Sequence, residues 1–261
     1  GILTVSSNVK NKIMKKVIVT GGLGFIGSNL IKLLLKMISA IILAAGLSRR
    51  MGKENKLFLP LGGEALLAKL VKSVCDSNVS QVLVVLGHEA EQVKLQLDNF
   101  PLSFVYNPYF SEGMTTSIKS GIKEISQKCD GFLICLADMP FIGTTEIDKL
   151  INAYTQNRIK EKRLIIVPVF RGQRGNPVLF SRDFQNDILD HKTFSGCKGV
   201  IMNNSESVME IEMNNDNILL DVDTLEDYQR AKETFLNEGI KWKITIKKQA
   251  KLFFCYIFGL D

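Results

Sequence analysis

The sequence predicts a three-layer, Rossmann-like α/β fold built on a mostly parallel, doubly wound sheet. From residue 38 onward, short apolar runs alternate with amphipathic segments, as in successive βαβ units. The first run, ending Ile41-Ile42-Leu43, breaks into Ala44-Ala45-Gly46 and then into a cluster of cations that reaches Lys56. That is the order of a strand, a phosphate loop and its counter-charges.

Strands are expected at 39–44, 81–86, 103–106, 131–136 and 164–169, where apolar residues run between turn formers. Helical periodicity places helices at 63–77, 89–98, 114–126, 144–156 and 224–237. The stretch 175–213 is less regular, with strands at 177–180 and 207–212 and helices near 181–190 and 197–203. In a doubly wound sheet the ligand lies beyond the carboxyl ends of the strands, so function should concentrate in the loops that follow them. Four such loops stand out: 44–56, Gly87-His88, the segment from Asn107 through Gly113 to Ser117, and Ala137-Asp138-Met139-Pro140.

The composition, 46% hydrophobic and 23% charged over 261 residues, leaves ample material for a core. The net charge of +6 is unevenly placed: residues 1–37 hold six Lys and no acid, 240–261 hold five Lys and one Asp, and the region between is net acidic. The basic balance therefore belongs to the ends and gives no case for a nucleic-acid partner. Five scattered Cys without C-x-x-C spacing argue against a zinc site or disulfide framework and suit a reducing cytoplasm. The apolar stretch Val17 to Leu35 is interrupted by Gly21, Gly22, Gly24, Gly27 and Lys32, which a signal peptide would not tolerate well. Leu252 to Phe258 is too short to span a bilayer, so no stable membrane insertion is expected. Packing or disorder of this tail is favoured over contact with a membrane surface. The chain divides into an extension at 1–37, a main domain at 38–239 and a basic, apolar tail at 240–261; Met37 stands where the main domain would naturally start.

The loop residues suggest their chemistry. Ala44, Ala45 and Gly46 let a ligand approach the backbone N–H groups, while Arg50 offers a planar fork and Lys56 a point charge to a polyphosphate. Ser48 adds a hydroxyl. The competing reading is a buried strand followed by a solvated basic turn. Asp138 closes an apolar strand, where an uncompensated carboxylate is costly, and its hard oxygens suit Mg²⁺. Its alternative is a cap for the helix beginning near Thr144. Gly113 and Ser117 lie where a helix begins, and unpaired N–H groups there can meet a nucleotide. Asp221 and Asp223 share one face of an extended segment, though Asp223 or Thr224 could instead cap the following helix.

Leu43-Ala44-Ala45-Gly46-x-Ser48-x-Arg50-Met51-Gly52-x-x-x-Lys56 resembles the signature of nucleotidyltransferases related to the molybdenum-cofactor cytidylyl- and guanylyltransferases. The resemblance extends over 38–237, through the three later loops to Asp221-x-Asp223-Thr224-x-x-Asp227. It implies a fold of the nucleotide-diphospho-sugar transferase type. It also implies nucleotide binding by Leu43, Ala44, Ala45, Gly46, Ser48, Arg50, Lys56, Gly87, Gly113 and Ser117, with Arg50 and Lys56 as catalytic cations. Asp138 and Asp223 would hold Mg²⁺, with Asp221 in reserve. Arg171 to Pro177 resembles the acceptor loop, so Arg171, Arg174 and Asn176 would meet a pterin phosphate, although the family more often has His before the Pro. Cys197 stands where the family usually has Asp, a departure that touches acceptor identity. The Ala-Ala-Gly form favours CTP over GTP. The implied reaction transfers CMP from CTP to molybdopterin with release of pyrophosphate, and a molybdoenzyme or chaperone is the implied partner.

Three alternatives stand beside it: a sugar phosphate or other small phosphorylated acceptor, an inactive nucleotide-binding module, and an NAD-dependent oxidoreductase. The last rests on residues 15–36, where Gly21, Gly24 and Gly27 resemble a truncated start of an extended short-chain dehydrogenase or epimerase. The acidic residue expected about 20 positions further on is missing.

Overall fold

The computed structural model describes residues 2–4, 18–20, 37–51, 55–158, 163–191 and 196–237. The dehydrogenase-like glycines 21–27 and the tail from 240 lie outside these residues, as does Cys255. At the N-terminus, β1 (Ile2–Thr4) pairs antiparallel with β2 (Ile18–Thr20).

The main sheet takes its strands from β3 (Ile38–Ala44), β6 (Gln81–Leu86), β7 (Ser103–Tyr106), β8 (Gly131–Leu136), β9 (Ile165–Phe170), β10 (Gln173–Arg174), β11 (Val178–Ser181) and β12 (Val208–Glu212), after a small hairpin of β4 (Pro60–Leu61) and β5 (Glu64–Ala65). Their order is β10-β9-β11-β8-β3-β6-β7, with β12 also paired to β9. β3 runs parallel to both β6 and β8, and β11 is the antiparallel member between β8 and β9. The helices are α1 (Leu66–Asp76), α2 (Ala90–Gln96), α3 (Met114–Lys123), α4 (Thr144–Asn157), α5 (Gln185–Asp190), α6 (Lys198–Asn203) and α7 over 225–237.

Period-two alternation along the strands creates the three layers. Ala40 and Ile42 of β3, Val82 and Val84 of β6, and Leu133 and Cys135 of β8 face Leu67, Leu70, Val71 and Val74 of α1 and Ile147, Leu150 and Ile151 of α4. Ile41, Leu83, Val85, Phe132 and Ile134 face the opposite layer, with Ile118 and Ile122 of α3, Ile188 of α5 and Val200 of α6. Strands buried on both faces read as continuous apolar runs, and each fully buried Ile or Leu contributes roughly 1.5–3 kcal/mol.

One expected helix starts late. Residues 60–65 form the β4–β5 hairpin because Gly62 and Gly63 both take left-handed backbone, which turns the chain before α1 can begin at Leu66. The expected helix near 181–190 opens with a 3₁₀ turn, Arg182–Phe184, before α5. Asp221 and Asp223 lie in an extended stretch outside any strand, anchored where Val222 N–H donates to the Asp138 carbonyl.

From β3 the sheet proceeds through β6 and β7 to one side and through β8 to the other. The crevice beyond the carboxyl ends of β3 and β8 is thus the topological switch point, where open α/β sheets bind ligands.

Candidate functional site

A cleft of about 440 Å³ opens at this switch point. Leu43, Ala45, Gly46, Ser48, Arg50 and Lys56 come to it from the first loop, Gly113 and Ser117 from the start of α3, Asp138 from the end of β8, and Asp223 from the segment before α7. The chemistry converges at Lys56. Its Nζ donates to Asp138 Oδ2 and to Asp223 Oδ1, each at 2.6 Å, while Arg50 Nη1 donates to Asp223 Oδ2 at 2.7 Å. Burial alone pulls the Lys56 pKa down, but the charges of Asp138 and Asp223 and their hydrogen bonds outweigh it and hold the ammonium above the usual lysine value. Partial burial, reinforced by the charges of Asp138 and Asp223, pushes the Asp221 carboxyl up from the ordinary aspartate range.

Local capping separates the roles of the acidic residues. The N-terminus of α7 is capped by Thr224, whose Oγ1 accepts from Asp227 N–H, and Asp227 Oδ2 accepts in return from the Asp223 and Thr224 N–H groups. The Asp223 side chain is left to face the cations. Likewise α4 is capped from within, Glu146 Oε2 accepting from Gly143 N–H at 3.0 Å, so Asp138 does not serve that helix. Asp138 Oδ1 is buried and, among the described residues, has no hydrogen-bond partner. An orphaned carboxylate oxygen beside a second carboxylate fits a divalent cation, for which both supply hard oxygen donors.

Other predicted residues lie around or away from the cleft. Ala44 packs into the core under the first loop. Gly87 is buried behind the cleft wall, where a side chain would strike Phe110 and the Ala45 methyl. Arg171, Gly172, Gln173 and Arg174 form an exposed hairpin outside the cleft lining. Arg174 Nε donates to Glu210 Oε1 at 2.7 Å, Arg171 lies over the Phe170 ring, and Asn176 N–H donates to the Ile218 carbonyl. Gly196 N–H donates to Thr115 Oγ1, which docks this loop on α3, and burial pushes the adjacent Cys197 thiol up to about 12.

Phe110, Ser111 and Met114 also line the cleft; nothing in the spacing of Phe110 and Ser111 distinguishes them from ordinary loop residues, and Met114, the first residue of α3, is expected in the motif without a role in the site. Asn107 opens the third of the four expected loops, but the sequence assigns no role to it. It is fully buried, donates to Thr116 and Ser117 hydroxyls and accepts from Tyr109 N–H, so it shapes the start of α3 from behind. The Asn-Pro after a strand was its only signal.

The mostly parallel sheet, with a switch-point cleft that collects two carboxylates and two cations, has the fold of the nucleotide-diphospho-sugar transferases. The model of the MobA-like NTP transferase domain matches residues 40–207, and the chain belongs to that family. It is 26% identical over 200 residues to the molybdenum cofactor cytidylyltransferase of Escherichia coli, covering 76% of this chain and 97% of that protein. It is equally similar, 26% over 200 residues, to the nicotine blue oxidoreductase of Paenarthrobacter nicotinovorans, covering 75% of this chain and 97% of the relative. A Mycobacterium tuberculosis protein solved as a manganese complex shares the fold at 22% identity, with a TM-score of 0.63 over 76% of this chain and 98% of that one. Among the described residues no helix is long and apolar enough to cross a membrane.

Proposed function

We propose that this chain transfers CMP from CTP to molybdopterin, releasing pyrophosphate, with Mg²⁺ held by Asp138 and Asp223. The observation that carries the reading is the convergence of Lys56 and Arg50 on Asp138 and Asp223, with one Asp138 oxygen left unpartnered beside them. In the reaction, an oxygen of the acceptor phosphate forms a bond to the α-phosphorus. The bond from that phosphorus to the α,β-bridging oxygen breaks, and its electron pair leaves with pyrophosphate. The obstacle is repulsion between anions, so catalysis needs cations and oriented donors in place of a protein nucleophile.

The residues divide this work. Ala45 and Gly46 leave room for phosphate oxygens at the backbone, Arg50 and Lys56 neutralise the triphosphate, and Asp138 and Asp223 would hold the metal. A divalent ion held by these carboxylates would supply further neutralisation of the phosphate charge. For the base, Ala45 brings a methyl to the cleft lining, which takes up space a purine would need and supports CTP over GTP. The activity of the Escherichia coli relative supports molybdopterin as acceptor.

A second reading keeps the chemistry and changes the acceptor to a sugar phosphate or another small phosphorylated molecule. It is favoured by Arg174, whose charge is engaged by Glu210, and by a cysteine at 197 where the resemblance expects a carboxylate. The test is pyrophosphate release with each of the four triphosphates and Mg²⁺, with molybdopterin or sugar phosphates as acceptor. Release with CTP and molybdopterin alone is expected. Preference for GTP would overturn the base assignment, and turnover of a sugar phosphate in place of molybdopterin would establish the second reading.

A further inference from the structure

We infer that Asn55 and Glu89 are positioning residues that clamp the nucleotide loop to the loop after β6, an inference that rests on the proposed role of residues 44–56. Asn55 is 8% exposed although it sits at the end of a cationic surface loop. Its Oδ1 accepts from Ser48 Oγ and from Leu57 N–H, both at 3.1 Å, and its Nδ2 donates to Glu89 Oε2 at 2.7 Å. One buried amide thus ties together the beginning of the loop, its end and a second strand-end loop.

Both residues at the far ends of this chain of bonds are held in left-handed backbone, Ser48 at φ 48° and Glu89 at φ 51°. Side chains other than glycine adopt this region at a cost, so something must compensate at each position. The Asn55 amide touches both side chains. A main-chain contact runs alongside, from His88 N–H to the Ala45 carbonyl at 3.4 Å.

Among the described residues, the loop's other side-chain hydrogen bonds to the rest of the fold are ionic: Arg50 to Asp223, and Lys56 to Asp138 and Asp223. These charges are the ones a triphosphate and a cation would engage, so the attachments must rearrange when substrate enters. The Arg50 side chain is also 73% exposed, which screens its pair. Ser48 is expected at the nucleotide, but the Asn55–Glu89 link beyond it uses no group assigned to substrate. It can hold the loop in register while the ionic contacts exchange.

The experiment compares full-length Glu89→Gly, Glu89→Gln and Asn55→Ala with the wild-type chain. Glycine at 89 removes the acceptor but relaxes the left-handed backbone, so its thermal midpoint should equal or exceed that of the wild type. Loss of a hydrogen bond to a charged group should nevertheless raise KM for CTP about tenfold, with kcat changed by less than about twofold. Amide exchange over residues 46–57 should accelerate by about the same tenfold factor. Asn55→Ala should show the same KM rise and faster exchange. Glu89→Gln, whose side-chain carbonyl can still accept from Asn55, should restore both. Wild-type exchange in Glu89→Gly overturns the inference, as does a Gln variant that behaves like Gly. A wild-type chain that turns over no triphosphate overturns the proposed function, and the exchange measurement still decides the clamp.

Discussion

The loop at 44–56 and the hairpin at 171–177 are both cationic turns after a strand, yet the fold treats their charges differently. In the first, Arg50 and Lys56 reach out of the loop to carboxylates that line the same cleft. In the second, Arg174 turns to Glu210 of neighbouring β12, Arg171 lies on the preceding Phe170, and Arg171 N–H donates to Glu212 Oε1. Cations whose partners stand on the cleft wall are placed where the proposed ligand would meet them, whereas Arg174 is engaged by Glu210 of β12, a strand of the same sheet.

Substitutions can break or sharpen this contrast. The largest effect is expected at Asp138: Asp138→Ala should lower the rate of pyrophosphate release by roughly 10²–10³-fold or more, the scale of losing a charge-stabilising group from a reacting site. Retention of full activity in a steady-state assay would remove the metal assignment. Lys56→Met comes next, with about a hundredfold loss in kcat/KM. The same variant should also bind Mn²⁺ more tightly in calorimetry, because no ammonium then competes for the two carboxylates.

Gly87→Ala should destabilise the chain by roughly 1–3 kcal/mol in urea unfolding, since a methyl there would lie 2.5 Å from Phe110 Cβ and 2.9 Å from Ala45 Cβ. It should also weaken nucleotide binding by deforming the wall. Arg174→Ala tests the other side of the comparison. Its half-exposed pair with Glu210 makes a stability change under about 1 kcal/mol the expected result. A large rise in acceptor KM would instead place the hairpin at the acceptor.

The smallest effect concerns acid stability. Hydrogen bonds from Thr224, opposed by burial and supported by Arg230 and the Asp223 N–H, hold the Asp227 carboxyl below its ordinary value of 3.8. The native state therefore binds fewer protons than the unfolded chain in that range. Asp227 contributes stability above pH 3.8 that fades as pH falls through the lower native value. Asp227→Asn should flatten the acid limb of thermal midpoint against pH while lowering the midpoint slightly at neutrality.

Much of the fold was legible because its strands are buried on both faces. Ile38–Ala44, Gln81–Leu86 and Gly131–Leu136 read as continuous apolar runs, and their ends fell within a residue or so of expectation. The β4–β5 hairpin was hidden by the apolar periodicity of α1, which begins immediately after it; the paired glycines were the available sign. In the site, Lys56, Asp138 and Asp223 were legible as motif residues. Asn55 and Glu89 were not, because a buried amide and a left-handed glutamate look like surface residues in a linear chain. The hairpin arginines were legible as charges but not as partners of β12.

By itself the sequence determined the layers and the chemical inventory: period-two burial decides which strand face meets which helices, and small residues followed by cations mark where an anion can approach a backbone. Tertiary structure alone decided which charges meet. Lys56 lies 82 residues from Asp138 and 167 from Asp223, and only the parallel alignment of β3 with β8, together with the return of the segment before α7, brings all three within hydrogen-bond reach. Electrostatic partnership depends on distances of a few ångströms. Sequence separation carries almost no information about those distances until the sheet is assembled.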